Sequence, residues 1–300
     1  MDNPAIFDTI YKKIEGQEMI LDGKALSLKI KNQVKDEVSQ LKNYITKRPT
    51  LAVVVVGDDP ASAIYVRNKQ TACEYVGIES TSVVLDGTTT QFQLEAELTR
   101  LNQDENINGI LLQLPLPKGL DERKALNCID PIKDVDGLSS VNLGRLITNE
   151  IGLTPCTPTG IMEFFKEYNI DVAGKNVVII NRSLLVGKPL ALLMLKANAT
   201  VTICHSKTTN LREHTKNADI IVTAVGKRNF LTSDMIKDGA TIIDVAIVRD
   251  ETGISGDVDF SGVINKVSNI TPVPGGVGPM TIAMLLKNTV KAFRLQNNLL

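Results

Sequence analysis

Two side chains that can move protons stand four residues apart in the first quarter of the sequence. Tyr65 and Lys69 belong to the segment Tyr-Val-Arg-Asn-Lys, and positions i and i+4 share one face of a helix. An amine held near a hydroxyl and away from water has a lowered pKa and can transfer protons near neutral pH. The same spacing fits an exposed pair that only covers the protein surface, and the local pattern leaves both interpretations open.

A tyrosine and a lysine at this spacing also occur in short-chain dehydrogenases, where the pair follows the nucleotide-binding turn. Here the pair precedes the candidate nucleotide-binding turn, which begins at Asn181. This order argues against a short-chain dehydrogenase.

Two further polar residues stand where ligands gather in parallel α/β sheets. Gln113 ends an apolar run, and Asp136 precedes Gly137 in the segment Lys-Asp-Val-Asp-Gly. The two oxygens of a carboxylate can accept hydrogen bonds from a flat donor edge such as that of an amino-pyrimidinone. Each residue also has a simpler interpretation, because Asp-Gly is a common turn and Gln113 can be a polar strand end.

The segment over residues 176–207 has the pattern of a buried strand, a tight turn, a helix and a second strand. The turn contains Asn181, Arg182 and Ser183, and Pro189 is predicted to open the helix, because proline suits a first helical turn. Free amides at such a helix start bind phosphate. The usual G-x-G-x-x-G fingerprint is absent, and many strand–turn–helix joints bind nothing, so this pattern alone does not decide the function.

The residues after the second strand indicate which dinucleotide this segment would bind. His205, Ser206 and Lys207 stand at about the spacing where dinucleotide folds contact the ribose 2′ position, and no acidic residue occurs there. An acidic residue would pair with the 2′-hydroxyl of NAD and repel a 2′-phosphate. Arg182, Ser206 and Lys207 can instead bind that phosphate, so the pattern favours NADP.

Strands and helices alternate around these residues. Helical spacing of apolar residues predicts helices over 22–44, 60–76 and 91–101, and apolar runs predict strands over 51–56, 81–85 and 108–114. Pro115 and Pro117 stop the third strand, and a loop-rich stretch is predicted up to residue 157. The alternation then resumes with helices over 159–168, 189–195 and 281–295 and strands over 177–180, 200–204, 220–225 and 240–246. This order is typical of parallel α/β sheets.

The composition excludes several classes of partner. Three hundred residues with 43% hydrophobic content suggest two domains. With 33 basic and 34 acidic residues, no Trp, five Tyr and seven Phe, the chain has neither a basic face nor a base-stacking platform for nucleic acid. The four cysteines have no C-x-x-C spacing and the two histidines are too few for a metal site, so no metal or disulfide framework is expected.

The same features predict where the chain resides. Unpaired cysteines fit a reducing cytoplasm, and no apolar run approaches the roughly 20 residues that span a bilayer. Residues 1–18 contain four acidic side chains and no sustained apolar run, so they are predicted to be a disordered extension and not a targeting peptide.

Seven segments together resemble the bifunctional methylenetetrahydrofolate dehydrogenase/methenyltetrahydrofolate cyclohydrolase family. They are Tyr65-Val-x-x-Lys69, Gln113-Leu-Pro-Leu-Pro117, Lys133-Asp-Val-Asp-Gly137, Thr154-Pro-Cys-Thr-Pro158, Val186-Gly-Lys-Pro189, Cys204-His-Ser-Lys-Thr208 and Pro272-Val-Pro-Gly-Gly-Val-Gly-Pro-Met-Thr281. The resemblance extends from Met19 to the last predicted helix.

The resemblance implies two α/β domains that flank a cleft. Residues 19–155 would form a catalytic, folate-binding domain, completed by the C-terminal helix over 281–300, and residues 156–280 a Rossmann-like NADP-binding domain. A homodimer formed through the nucleotide domains is implied as well. The implied reactions are NADP-dependent oxidation of 5,10-methylenetetrahydrofolate and hydrolysis of the methenyl product to 10-formyltetrahydrofolate. A dehydrogenase without the hydrolytic step and a non-enzymatic folate- or nucleotide-binding module are the alternatives.

The resemblance also implies a role for each matching residue. Lys69 would be the catalytic amine, Gln113 would hold it by a hydrogen bond and favour its neutral form, and Asp136 would bind the pterin. Tyr65 would stack on the aminobenzoate ring. The remaining substrate contacts would come from the glycine-rich loop, at Pro274, Gly275, Gly276 and Gly278.

The positions that match the cofactor contacts of the family are Thr157, Asn181, Arg182, Ser183, Ser206 and Ile247. Asn181 departs from the family, which usually has Gly at this position. Asn tolerates a left-handed backbone better than most residues, so the turn is expected to survive. The Asn181 side chain is also a candidate to crowd the cofactor.

Overall fold

The computed structural model describes residues 20–41, 43–57, 60–251 and 253–299, and its description of side chains omits residues 60–65. The extension predicted over residues 1–18 lies outside the described residues. The described chain divides into two compact units. The first unit comprises residues 24–160, 183–193 and 279–299, and the second comprises residues 20–23, 161–182 and 194–278.

Helices and strands alternate along the chain, as the sequence predicts. The helices are α1 (Gly23–Leu41), α2 (Pro60–Val76), α3 (Gln91–Gln103), α4 (Glu122–Cys128), α5 (Ser140–Thr148), α6 (Cys156–Glu167), α7 (Gly187–Lys196), α8 (Leu211–Lys216), α9 (Phe260–Val263) and α10 (Val277–Gln296). The strands are β1 (Thr50–Val56), β2 (Glu79–Leu85), β3 (Gly109–Leu112), β4 (Asn176–Ile180), β5 (Thr200–Cys204), β6 (Ile220–Thr223), β7 (Thr241–Asp244), β8 (Val248–Asp250), β9 (Gly253–Ser255) and β10 (Asn269–Ile270).

The first unit is built on a parallel sheet with the strand order β2-β1-β3. Strand β1 is central, and its run of Leu, Ala and Val is almost fully buried, because both faces of a parallel sheet are covered. Val54 pairs with Val83 on one side and with Leu112 on the other. Strand β3 is short, and Ile110 also forms a parallel bridge with Asp134, which brings the segment after residue 132 alongside the sheet.

The second unit is built on a five-stranded parallel sheet with the order β10-β7-β6-β4-β5. Strand β4 comes first in the chain, β5 is added on one side of it, and β6 and β7 are added on the other. The strand order therefore reverses beside β4. In open α/β sheets, ligands bind outside the carboxyl ends of the strands at such a reversal. Strands β8 and β9 form a separate antiparallel hairpin.

The structure confirms the α/β class and most of the predicted elements, and it corrects others. Residues 115–157, predicted to be rich in loops, contain helices α4 and α5. Helix α8 was not predicted either, because each of these helices is short and lacks a long amphipathic repeat. Helix α7 begins at Gly187, two residues before Pro189, so that proline lies within the first turn and does not open it. Strands β3, β6 and β7 are shorter than predicted.

The described residues contain neither a membrane-spanning helix nor a metal-binding cluster. None of the helices in this part of the chain has both the length and the apolar character needed to cross a bilayer. Within the same residues, no group of three or more His, Cys, Asp or Glu side chains could hold a metal ion. The four cysteines are free thiols.

Candidate active site

Lys69 and Gln113 are joined by a direct hydrogen bond. Lys69 lies on α2, the helix that follows β1, and its Nζ donates to Oε1 of Gln113 at 2.7 Å. Gln113 immediately follows β3, and its backbone N–H donates to the carbonyl of Val54 at 2.9 Å, which continues the pairing with β1. The Nε2 of Gln113 donates to the Leu114 carbonyl at 2.7 Å, so the amide is oriented with its oxygen toward the amine.

Burial lowers the pKa of Lys69, because an ammonium loses hydration inside the protein. The charge of Asp136 acts in the opposite direction and raises this pKa, with smaller contributions from Cys156 and Cys73. The amide oxygen of Gln113 is an acceptor, and an acceptor stabilises the charged amine more than the neutral one. The hydrogen bond to Gln113 therefore positions the amine, and burial is what favours its neutral form.

Asp136 lies in a turn that is anchored through Lys133 and Asp134. The Nζ of Lys133 donates to the carbonyls of Asn102 at 2.7 Å and Asp104 at 2.8 Å, at the C-terminal end of α3, where cations are favoured. The buried Asp134 carboxylate accepts hydrogen bonds from the backbone N–H of Ser139 at 2.8 Å and from Nδ2 of Asn142 at 2.9 Å. The first anchor ties the turn to the end of α3, and the second ties it to the start of α5.

Asp136 has a pKa shifted in the opposite direction to that of Lys69. Burial raises the pKa of the Asp136 carboxyl, while the positive charge of Lys69 lowers it. The Cys156 thiol donates to the Val135 carbonyl at 3.3 Å, and its proximity to the Asp136 carboxylate lowers the pKa of that group. Burial raises the pKa of Cys156 well above its usual value, so this thiol is uncharged near neutral pH. Burial thus favours the neutral forms of both Lys69 and Asp136, and such shifted pKa values are typical of acid–base sites.

Two further predicted site residues are Tyr65 and Thr157. Tyr65 lies on α2, one turn before Lys69, but its side chain is outside the description. Thr157 lies in the first turn of α6, and its Oγ1 lies 2.9 Å from Oγ1 of Thr281.

The glycine-rich loop that precedes and enters α10 has a backbone that tolerates few side chains. Gly275 has a φ of +108°, and a Cβ added at Gly276 would lie 2.5 Å from the Pro272 carbonyl oxygen. Pro274 follows a cis peptide bond. A Cβ at Gly278 would lie 3.7 Å from Cδ1 of Ile247, so a predicted substrate contact and a predicted cofactor contact are neighbours.

Arg182 and Ser206 leave neighbouring strands at matched positions. Ile180 of β4 pairs with Cys204 of β5. Arg182 comes two residues after Ile180, and Ser206 comes two residues after Cys204. The Ser206 and Lys207 side chains are exposed on a tight turn in which the Lys207 N–H donates to Nδ1 of His205 at 3.2 Å. Arg182 is exposed as well. These donors, with no carboxylate at the end of β5, fit a 2′-phosphate.

Asn181 does not have the conformation that the sequence suggested. It is not among the described residues with a positive φ, so the left-handed backbone expected at this position is not used. Its Nδ2 donates to the carbonyl of Ala224 at 2.7 Å, which joins the ends of β4 and β6 beside the reversal of strand order. The side chain is therefore held by the sheet.

The turn between β4 and α7 is closed by its own residues. Oγ of Ser183 accepts a hydrogen bond from the Val186 N–H at 3.1 Å, and the Ser183 carbonyl accepts one from the Lys188 N–H at 3.0 Å. Ser183 thus acts as a cap for the turn that leads into α7.

Comparison with known proteins agrees with this arrangement. Residues 21–136 match the model of the tetrahydrofolate dehydrogenase/cyclohydrolase catalytic domain, and residues 155–297 match that of the corresponding NAD(P)-binding domain. The chain belongs to the tetrahydrofolate dehydrogenase/cyclohydrolase family. A relative from Campylobacter concisus, the bifunctional protein FolD, is 57% identical over 274 residues, which are 91% of this chain and 96% of the relative.

Solved structures of tetrahydrofolate dehydrogenase/cyclohydrolases have the same fold. The bifunctional enzyme from Campylobacter jejuni superposes with a TM-score of 0.91 at 49% identity, covering 94% of this chain and 99% of the other. The enzyme from Trypanosoma brucei, solved with an NADP cofactor and an inhibitor, gives a TM-score of 0.88 at 37% identity and covers 93% and 98%.

Two residues of this tetrahydrofolate dehydrogenase/cyclohydrolase were not singled out from its sequence. Cys156 contacts the Asp136 turn, and its position between prolines in a matching segment was the available signal. Asp257 is fully buried, and its carboxylate accepts hydrogen bonds from the N–H groups of Val225 at 2.6 Å, Gly226 at 2.8 Å and Lys227 at 2.7 Å. It shapes the loop after β6, and no local sequence pattern reveals a contact over some thirty residues.

Proposed function

We propose that this protein oxidises 5,10-methylenetetrahydrofolate with NADP⁺ and hydrolyses the resulting 5,10-methenyltetrahydrofolate to 10-formyltetrahydrofolate. The observation that carries the proposal is the environment of the Lys69 amine. Burial lowers its pKa, its Nζ donates to Oε1 of Gln113 at 2.7 Å, and the charge of Asp136 acts on it. A monofunctional dehydrogenase has no need of such a base. The family matches over both domains support the same activity.

The hydrolytic step uses the amine directly. As the oxygen of water bonds to the methenyl carbon, its proton moves to Nζ of Lys69. The bond between that carbon and N5 then breaks as the proton is returned from Lys69 to N5. The remaining hydroxyl proton leaves to solvent as the C=O bond forms, which leaves the formyl group on N10. A fixed, partly neutral amine suits both transfers, because its pKa lies closer to neutrality than that of a free lysine.

The other substrate-binding roles follow the matched positions. Asp136 accepts hydrogen bonds from the pterin edge, and Tyr65 stacks on the aminobenzoate ring. The loop over residues 274–278 lets backbone approach the folate, since Gly275 and Gly276 have conformations or surroundings that exclude larger residues.

The residues that match the cofactor contacts of the family bind NADP⁺. Arg182 and Ser206 bind the 2′-phosphate, with Lys207 beside them. Bound NADP⁺ supplies the acceptor for the hydride that leaves the one-carbon bridge. The chain aligns the two reactants, with Ile247 next to the glycine-rich loop. The remaining cofactor contacts are Thr157, Asn181 and Ser183.

The domain boundaries, the assembly and the location belong to the proposal too. Residues 19–155 with the C-terminal helix form the folate domain, and residues 156–280 form the NADP domain. A homodimer forms through the NADP domains, which is supported by exposed apolar side chains on and next to edge strand β5, Ile203 and Leu195. Four free thiols agree with a reducing cytoplasm.

One assay separates the candidate functions. The protein is incubated with 5,10-methylenetetrahydrofolate and either NADP⁺ or NAD⁺, and the methenyl and formyl products are followed over time. The proposal predicts both products, with a preference for NADP⁺. A methenyl product that never hydrolyses faster than in buffer would leave the monofunctional dehydrogenase, and binding of both ligands without turnover would leave a non-enzymatic module.

A further inference from the structure

Asn288 connects two chain segments from the last helix. It lies on α10 with 7% of its surface exposed. Its Nδ2 donates to the carbonyls of Val135 at 2.9 Å and Thr154 at 2.8 Å, and lies 3.6 Å from Sγ of Cys156. Both carbonyls can only accept, so the amide nitrogen and not the oxygen must face them, and its two hydrogens serve one carbonyl each.

The two segments that Asn288 connects carry the groups that act on Lys69. Val135 precedes Asp136, and Thr154 lies two residues before Cys156. The segments also touch directly, because a Cβ added at Gly137 would lie 2.5 Å from the carbonyl carbon of Thr154. Little space remains for water between them at this point.

The anchors on the other side of the turn do not replace this contact. Lys133 and Asp134 fix the turn to α3, to β3 and to the backbone at residues 138–139. The Val135 carbonyl has different partners, and its protein donors within the described residues are Asn288 and the Cys156 thiol. Removing the amide leaves the buried Val135 carbonyl and the partly buried Thr154 carbonyl without this shared donor, and the segments relieve this by separating.

We propose that Asn288 is a positioning residue that holds Asp136 and Cys156 at the Lys69 amine. The inference rests on the proposed function, in which Lys69 takes the proton of water. A misplacement of about 1 Å in such a constellation can cost about 100-fold in rate, even when the substituted residue touches no reacting atom.

A double-mutant cycle on the full-length protein tests this role. Asn288→Leu keeps the approximate shape of the side chain and removes its donor. Hydrolysis of methenyltetrahydrofolate is expected to slow by about 10- to 100-fold in this variant, while the Kd of NADP⁺ stays within about twofold. In an Asp136→Asn background the same substitution is expected to have a much smaller effect, because the group that it positions no longer carries its charge.

A neighbouring buried residue provides the matched control. Thr289→Val also removes a buried polar group from α10, but among the described residues the Thr289 hydroxyl bonds to the Leu285 carbonyl of its own helix and to no other segment. The Thr289→Val variant is expected to hydrolyse methenyltetrahydrofolate at the rate of the unsubstituted protein. If Asn288→Leu does not fold, Asn288→Ser, which retains one donor hydrogen, undergoes the same cycle and should give a smaller loss.

The outcomes separate this inference from the proposed function. An unsubstituted protein that does not accelerate hydrolysis overturns the proposed function. Normal hydrolysis by the unsubstituted protein together with equal slowing by the Asn288 variant in both backgrounds, or no slowing at all, overturns only the positioning role.

Discussion

Lys69 and Asp136 have pKa values that burial shifts toward each other. Burial lowers the pKa of the amine and raises that of the carboxyl, while each charge opposes the shift of the other. In the proposed mechanism, the lowered pKa of the amine is what suits it to accept a proton and to return it. The chemistry of the site is thus set by burial of particular side chains, with Gln113 fixing the geometry.

Replacing the amine tests its assignment. Lys69→Met is expected to slow methenyl hydrolysis by about 10²- to 10⁴-fold, the usual contribution of an acid–base group, without a change in NADP⁺ affinity. Stopped-flow measurement of hydrolysis and a fluorescence titration with NADPH check the two parts. Lys31→Met, which removes another partly buried amine whose pKa burial lowers, serves as the control and should retain the rate. An unchanged rate in Lys69→Met would refute the role.

The pH dependence of hydrolysis tests the coupling to Asp136. In the proposed mechanism the neutral amine is the active form, so the rate is expected to rise with pH through the pKa of Lys69. Asp136 raises that pKa. Its replacement by Asn therefore moves the midpoint of the profile to lower pH at saturating substrate. Asp130→Asn, which removes an exposed carboxylate from the same loop, should leave the midpoint in place. A midpoint that moves to higher pH in Asp136→Asn would contradict the coupling.

Asn181 allows a prediction in which stability and binding change differently. Asn181→Gly loses the hydrogen bond to Ala224 and should reduce the free energy of unfolding by about 1 kcal/mol. NADP⁺ affinity should stay the same or increase, since the family usually has Gly here. Urea unfolding and calorimetric titration measure the two quantities, and Asn181→Ala separates the lost bond from the added backbone freedom. A large loss of NADP⁺ affinity in the Gly variant would show that the Asn181 side chain, and not only its backbone, contributes to cofactor binding.

At the scale of elements, the Asp136 turn depends on close backbone packing. Gly137 has a φ of +68°, and a side chain there would meet the backbone of Thr154 and Pro155. Ile110 near the start of β3, the C-terminal end of α3 and the last helix all contact this short stretch. Because this turn places Asp136, we expect the stability of the turn and the rate of hydrolysis to be coupled.

A pair of glycine substitutions tests this dependence. Gly137→Ala combines an unfavourable φ with a steric clash and should cost about 2 kcal/mol or more of the free energy of unfolding. Gly144→Ala, on α5 with open space around the added Cβ, should instead stabilise the protein by about 0.5–1 kcal/mol. Chemical denaturation of both variants measures the difference. Equal stability of the two would show that the turn can move away from Thr154.

At the scale of the whole molecule, the proposed dimer predicts a mass and a site of disruption. Sedimentation equilibrium should give twice the 32.6 kDa of the chain. Ile203→Asp places a charge on the exposed edge strand β5 and should yield monomers. Val84→Asp makes the same change on β2, the edge of the other sheet, and should leave the dimer intact. Dimers in Ile203→Asp would place the interface elsewhere.

Different parts of the molecule were predictable to different degrees. The long helices and the buried strands followed from apolar periodicity, because burial of one face is a local property of the sequence. Helices α4, α5 and α8 were missed, since seven, nine and six residues contain too few turns for a clear repeat. Of the candidate site, the structure contains the hydrogen bond between Lys69 and Gln113 that the resemblance implied, but this bond does not favour the neutral amine. The contacts of Asp257 had no local signal.

The sequence by itself determined the α/β class, the family and the preference for a 2′-phosphate, because these depend on residue types at short spacing. The tertiary structure decided what surrounds those residues. It showed that burial shifts the pKa of Lys69, that the Asn181 side chain bonds across the sheet, and that Asn288 reaches back over more than a hundred residues to the Asp136 turn. Hydration and long-range hydrogen bonds depend on which segments meet in space, and residue spacing along the chain does not contain that information.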